Sequence, residues 1–163
     1  MEKKSMQALI ILGEGGHTAQ MLKLVDLMGP IYEYSYLMAK HDQISEGKIK
    51  TAGPVYRAHA PRTKDPKFLT NIRFLLLSFI GELLILIKAR PNVIISAGAG
   101  IAVPISVWGR IAGVKIIYVE DACRLRALSL TGKMMYWIAH LFFVQWEPLK
   151  EKYPRAIYAG RLL

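Results

Sequence analysis

Two glycine-rich turns, each at the end of a short apolar run, hold the residues of this chain best suited to chemistry. Ala8–Leu12 leads into Gly13-Glu14-Gly15-Gly16-His17-Thr18, and Val93–Ile95 leads into Ser96-Ala97-Gly98-Ala99-Gly100. Turns of this kind at the carboxyl ends of parallel strands aim backbone N–H groups and a helix N-terminus at negatively charged ligands. His17 can hold a phosphate as imidazolium, act as a base, or serve as a hydrogen-bonding cap. Thr18 can cap the helix or bond a phosphate oxygen. The first turn departs from the dinucleotide fingerprint, which wants glycine where Thr18 stands, and it lacks the Gly-Lys-Ser/Thr of a P-loop. Neither NAD nor ATP is supported, and no cofactor is expected. The small residues of the second turn fit an anion site or close helix–sheet packing equally well.

Glu120 and Asp121 follow the apolar run Lys115–Val119. Glu120 there can serve as a base or anchor a sugar hydroxyl, or it can pair with Arg124 or Arg126 to fix the loop. His41, His59 and His140 have no convincing partner spacing and read as structural. The single Cys123 cannot form an internal disulfide and fits a reducing compartment. No Cys/His cluster has zinc spacing, so no metal is expected.

The elements that must position these residues alternate between strand-like and helical patterns, which argues for βαβ units and a parallel sheet. Strands are predicted near 7–12, 32–38, 54–59, 92–96, 115–119, 141–145 and 155–158. Helices are predicted near 17–28, 68–89, 101–112, 130–140 and 147–152, with a short helix or loop in the polar stretch 40–52. Gly29-Pro30 ends the first helix and Arg90-Pro91 the second. At 163 residues the chain is read as one domain.

Composition points to a partner. Hydrophobic residues make up 53% of the chain and the net charge is +10, while mean hydropathy is +0.26. No uninterrupted apolar stretch of about 18 residues is present to span a bilayer, and no signal-peptide pattern opens the chain. High apolarity with positive charge favours an anionic membrane surface over nucleic acid, whose binders show basic runs with interleaved aromatics or a reading module. On a helical wheel, Ile72, Leu75, Leu76, Phe79, Ile80, Leu83, Leu86 and Ile87 of the 68–89 helix form an arc expected to pack on the sheet. The opposite arc carries Ser78, Glu82 and other polar residues, but also Phe74, Leu77, Leu84 and Ile85. Those four, with Arg62, Lys64, Lys67 and Arg73, form the expected membrane contact; a protein partner on that face and a plain core helix preceded by a solvated loop are the alternatives.

Several motifs together carry a family resemblance: Gly13-Glu14-Gly15-Gly16-His17-Thr18 with Met21-Leu22, Gly98-Ala99-Gly100 with Val103-Pro104, and Tyr118-Val119-Glu120 with Arg124. They continue in Ser129-Leu130-Thr131-Gly132-Lys133, in Phe142-Phe143-Val144-Gln145-Trp146 with Tyr153-Pro154, and in Gly160-Arg161-Leu162. The set resembles the PssD/CpsF-type bacterial exopolysaccharide proteins. Those are similar to the membrane-recruiting subunit of the eukaryotic two-part transferase that adds the second GlcNAc to dolichol-diphosphate-GlcNAc.

The resemblance implies a Rossmann-like parallel sheet with helices on both faces, one domain over 1–163, corresponding to the N-terminal half of a GT-B glycosyltransferase. It implies a membrane-associated, acceptor-binding and partner-activating subunit of a heteromeric UDP-sugar glycosyltransferase in polysaccharide biosynthesis. The acceptor would be a polyprenyl-diphosphate-linked sugar, and a separate donor-side subunit would bind the UDP-sugar. The expected location is the cytoplasmic face of the bacterial plasma membrane. Without the extended N-terminal membrane helix of the eukaryotic members, anchoring would fall to the 68–89 helix with its basic neighbours or to a partner. A stand-alone homodimeric glycosyltransferase and a purely structural membrane scaffold are the competing readings. Gly13, Gly15, Gly16, His17, Thr18, Gly98, Ala99, Gly100 and Arg124 would bind the acceptor diphosphate, and His17 and Glu120 are the catalytic candidates. Trp146, Tyr153, Tyr158, Arg161 and Leu162 would meet the partner subunit.

Overall fold

The computed structural model describes residues 5–60 and 68–162, with side chains throughout except over 68–75. The order of elements is β1 (Met6–Ile11), α1 (Gly16–Met28), β2 (Tyr32–Ala39), β3 (Val55–Ala58), α2 (Phe68–Ala89), β4 (Val93–Ser96) and α3 (Ala102–Ile111). There follow β5 (Lys115–Val119), α4 (Leu130–Ile138), β6 (Leu141–Val144), α5 (Glu147–Lys152) and β7 (Ile157–Tyr158). Every expected strand and helix is present, with ends within two residues of those predicted. The polar 40–52 stretch holds one 3-10 turn, Glu46–Lys48.

The seven strands form one sheet in the order β3-β2-β1-β4-β5-β6-β7, and all neighbouring pairs are parallel. Strand order reverses between β1 and β4. Loops leaving those two strands diverge to opposite sides, and a crevice opens at their carboxyl ends.

Alternation along β1 divides the core. Leu9 and Ile11 face the side covered by α2, α3, α4 and α5, where Ile94, Ile105, Tyr118, Met135 and Leu149 join them. Ala8, Ile10 and Leu12 face the other side, against Met21 and Val25 of α1. Each buried Leu, Ile or Met side chain contributes about 1.5–3 kcal/mol. Helix α1 stops at Gly29, whose φ of 70° is the left-handed conformation that glycine adopts freely.

Helix α2 corrects the wheel expectation. Of the arc assigned to the sheet, Leu76, Ile80 and Ile87 are exposed, while Ser78 and Glu82 from the arc assigned to solvent are fully buried. Leu84 and Leu77 do point outward, while Ile85 is half-buried and packs against the core. The wheel weighed hydrophobicity alone, and the packed side of the helix also carries polar contacts. Glu82 Oε1 accepts a hydrogen bond from Ser78 Oγ at 2.7 Å. Trp108 Nε1 donates to the Phe79 carbonyl at 2.9 Å. Of the other expected lipid contacts, Arg62, Lys64 and Lys67 lie outside the described residues, as do the side chains of Arg73 and Phe74.

Candidate functional site

The crevice beside β1 and β4 holds a cleft of about 330 Å³ lined by Gly13, Glu14, His17, His41, Asp42, Gly98, Ala99, Gly100 and neighbouring apolar residues. Both glycine-rich turns therefore reach one site, but they are not equivalent. At the first, Gly15 is the N-cap of α1 with φ 64°, no side chain caps the helix, and no acidic residue occupies its first turn. Gly15 and Gly16 are exposed. The first-turn N–H groups and the positive end of the helix dipole thus face outward at the cleft.

The second turn is largely satisfied within the protein. Ala99 N–H donates to the Ala97 carbonyl at 2.7 Å, and Ala102 N–H to the Ala99 carbonyl at 3.0 Å. Gly98, with φ 63°, forms the floor under His17, since a Cβ there would stand 2.1 Å from His17 Cε1. Gly13 presses on the same residue, its would-be Cβ 2.8 Å from His17 Cβ. The imidazole is thus clamped between both turns. Its Nδ1 lies 3.4 Å from Asp121 Oδ2, a charge-pair distance without hydrogen-bond geometry. Three strand ends, those of β1, β4 and β5, converge on this one ring.

Thr18 and Glu120 are placed differently from the sequence expectation. Thr18 is fully buried and its hydroxyl bonds the Gly13 carbonyl and Ser45 Oγ, so it fixes the turn and does not face the cleft. Glu120 is also fully buried. Its carboxylate accepts from Asp121 N–H at 3.0 Å, Ser129 N–H at 3.2 Å and Ser129 Oγ at 2.9 Å. Burial raises its pKa, against the lowering influence of those hydrogen bonds and of Arg124. A carboxylate so enclosed pins the 121–129 loop to the sheet; it is a positioning group and is not open to a substrate. Arg124 is exposed on that loop.

Sequence reading missed the residues that complete this support. Gln20 Nε2 and Gln145 Nε2 both donate to the Glu120 carbonyl, at 3.3 and 2.9 Å, tying α1 and β6 to the loop that carries Asp121. Ser129 caps α4 by accepting from Gly132 N–H at 2.8 Å. The Ser129-x-x-Gly132 spacing was the available signal for that cap. Of the residues read as structural, His140 Nδ1 accepts from Ile116 N–H at 3.0 Å, whereas His41 lies at the cleft and pairs with Glu14.

The expected partner-facing residues fall into two groups. Arg161 stacks on Trp146 at 3.9 Å, and Leu162 N–H donates to Gln145 Oε1 at 2.8 Å. Arg161 and Leu162 line an apolar groove of about 400 Å³ beside α1, with Leu27, Met28, Ile117 and Phe143. Tyr158 at the sheet edge is 37% exposed. Tyr153 is half-buried and packs edge-on against Tyr136 at 5.5 Å, against the core at the end of the fold.

A parallel sheet whose ligand crevice opens at the strand-order reversal, with a helix N-terminus left uncapped there, defines a Rossmann-like fold. Solved structures agree on the fold. MurG of Acinetobacter baumannii superposes with a TM-score of 0.68 at 14% identity, over 86% of this chain and 41% of that one. A UDP-N-acetylglucosamine 2-epimerase superposes with a TM-score of 0.74 at 14% identity, over 97% of this chain and 49% of the other. The chain spans less than half the length of these two structures, and its fold matches their N-terminal half.

The chain belongs to the Alg14 family: the model described as "Oligosaccharide biosynthesis protein Alg14 like" matches residues 8–162. It is 32% identical to the UDP-N-acetylglucosamine transferase subunit ALG14 of Mus musculus over 99% of this chain and 85% of that protein. It is 31% identical to the subunit of the same name from Candida albicans, over 96% of this chain and 78% of that one.

Proposed function

We propose that this chain is the acceptor-binding subunit of a two-part UDP-GlcNAc transferase whose donor-side domain is a separate polypeptide. The acceptor is a polyprenyl-diphosphate-linked sugar, built into a polysaccharide or a related glycan on the cytoplasmic face of a membrane; a bacterial exopolysaccharide or capsule pathway is the setting we favour. The observation that carries the reading is the uncapped N-terminus of α1 beside a clamped His17 at the β1/β4 crevice. Uncapped N–H groups and the helix dipole suit a diphosphate. His17, held by Gly13, Gly98 and Asp121, orients the acceptor against them. The acceptor hydroxyl then attacks the anomeric carbon of the donor sugar as the bond to UDP breaks, His17 takes the hydroxyl proton, and UDP leaves into the partner's half of the cleft. Glu120 acts through Asp121, holding the loop that faces His17. Gly15 and Gly16 contribute the exposed backbone, while Gly98, Ala99 and Gly100 shape the opposite wall.

Membrane seating is the second component. The outward face of α2 presents Leu76, Leu77, Ile80, Leu84 and Ile87, and Lys88 and Arg90 are exposed at its end. With a net charge of +10, that surface fits an anionic bilayer. Among the described residues no helix is long and apolar enough to cross a membrane, so we assign α2 a place in the interface.

Reconstitution tests the assignment. Purified chain, a candidate donor-side subunit, UDP-GlcNAc and a polyprenyl-diphosphate-GlcNAc acceptor are combined, then each protein is omitted in turn. Transfer is expected with both proteins present, and His17→Ala should raise the acceptor KM by about tenfold or more at unchanged donor KM. Transfer by this chain alone, or an acceptor KM indifferent to His17, would reject the reading.

A further inference from the structure

Two side chains from distant parts of the sequence meet at the cleft, each with one polar atom that the fold leaves unused. His17 opens α1 behind β1, and Asp121 leads the loop behind β5. His17 Nδ1 lies 3.4 Å from Asp121 Oδ2, and the two side chains are 28% and 24% exposed. Nδ1 is buried and makes no hydrogen bond, while the ring lines the cleft. The nitrogen left to serve a ligand is therefore Nε2. The oxygens of Asp121 are divided in the same way: Oδ1 accepts from Cys123 N–H at 2.9 Å and closes the turn of the loop, and Oδ2 faces the ring. The other acids at this end of the sheet are occupied. Glu14 pairs with His41, Asp42 Oδ1 accepts from Ile44 and Ser45 N–H, and Glu120 accepts from Asp121 N–H and Ser129. Arg124 and Arg126, the cations of the Asp121 loop, are exposed.

We propose that Asp121 is a positioning residue for His17 in the transfer step: its carboxylate keeps the ring proton on Nδ1, leaves the Nε2 lone pair for the acceptor hydroxyl, and steadies the imidazolium that forms. The inference rests on the acceptor-site reading above. A neutral imidazole carries one N–H, and the group facing each nitrogen decides which one bears it. A carboxylate facing Nδ1 favours the proton there. In the step itself the hydroxyl oxygen bonds the anomeric carbon, and the bond to UDP breaks with its electron pair on the leaving phosphate oxygen. The hydroxyl proton goes to Nε2. Asp121 stays ionised and takes no proton. Contacts of this kind are often long without substrate and tighten in its presence.

Asparagine and alanine at position 121 separate this role from support of the loop. Asp121→Asn keeps an oxygen for Cys123 N–H and loses the charge, whereas Asp121→Ala loses both. In the reconstituted pair of subunits, each variant should lower kcat about tenfold or more, with the acceptor KM within about twofold of the parent. In the isolated chain, imidazole nitrogen NMR shifts in mildly alkaline solution should place the His17 proton on Nδ1. In Asp121→Asn, whose amide can donate to Nδ1, the proton should move to Nε2. A normal kcat in Asp121→Asn beside a defect in Asp121→Ala assigns Asp121 to the loop turn alone and overturns the proposal. So does a proton found on Nε2 in the parent. His17→Ala, assayed alongside, distinguishes this failure from that of the underlying reading. An acceptor KM indifferent to His17 rejects the acceptor site and the pair's purpose with it, whereas a defective His17→Ala beside a normal Asp121→Asn removes Asp121 only.

Discussion

His17 owes its position to two glycines that a sequence reading would assign to phosphate binding. Gly98 combines a φ of 63° with a would-be Cβ that meets the imidazole, so Gly98→Ala strains the backbone and displaces the ring together. The strain costs about 1–2 kcal/mol, small enough for the fold to survive. Gly98→Ala should therefore keep its circular dichroism spectrum and lose reconstituted transfer about as fully as His17→Ala does. Gly132 is a second case, with a different consequence. A Cβ there would stand 1.8 Å from Glu120 Oε2, against a carboxylate already held by Ser129 and Asp121. Gly132→Ala should lower stability by about 1–3 kcal/mol in urea unfolding, since neither the carboxylate nor the capped helix start has room to yield. The types of these residues were legible in the sequence. Their division of labour was not, because whether a glycine bares an amide or admits a neighbouring ring depends on what crosses over it. Thr18 shows the same limit, its hydroxyl drawn inward by Ser45, a residue 27 positions away.

At the scale of the element, the strands and helices were legible because apolar periodicity and Gly-Pro stops are local signals. Helix α2 was legible in extent and illegible in rotation. Its wheel contains two usable stripes, and the side that packs carries a contact from Trp108, 29 positions from Phe79, that periodicity does not show. The inward Glu82 also gives stability a pH dependence. Burial pushes its pKa up from 4.5 to about 8, against the lowering influence of the Ser78 hydrogen bond. A carboxyl group raised in the folded state is protonated there while the unfolded chain ionises. Its contribution is complete below pH 4.5 and declines as pH rises toward about 8, by up to roughly 1.4 kcal/mol per pH unit. Glu82→Gln should flatten that part of the stability profile, measured by urea unfolding at several pH values between the two limits. On the outward side, Leu76, Ile80 and Leu84 each carry about 1.5–3 kcal/mol of apolar burial into whatever covers them. Changing all three to Gln should abolish co-sedimentation with anionic vesicles while leaving the unfolding midpoint within about 0.5 kcal/mol of the parent.

For the whole molecule, the uneven cladding of the sheet matters most. Four helices lie on one face, and α1 alone among the described helices lies on the other. Beside α1, over β5 and β6, the apolar groove lined by Leu27, Ile117, Phe143 and Leu162 remains open, and Leu27 is 64% exposed. On the proposed two-part reading, the companion meets the side where the ligand crevice opens and covers the bare sheet face. One companion polypeptide can do both. Arg161, stacked on Trp146 at 3.9 Å, supplies the rigid aromatic and guanidinium pair that association surfaces favour. Leu162 is a half-buried apolar side chain at the rim of the groove, with its N–H donating to Gln145 Oε1 at 2.8 Å. Leu162→Asp places a charge in that rim with no cation to meet it in the companion's apolar contact, while costing the isolated chain little because the site is already half in water. Co-purification with the donor-side subunit should fall by about tenfold or more, a loss of roughly 1.4 kcal/mol in association, and thermal unfolding of the variant alone should match the parent. Arg161→Ala should weaken the complex less, since it removes one stacked partner and leaves the groove apolar. If both variants bind the companion as the parent does, this groove is not the joint, and the companion must reach the chain across the crevice alone.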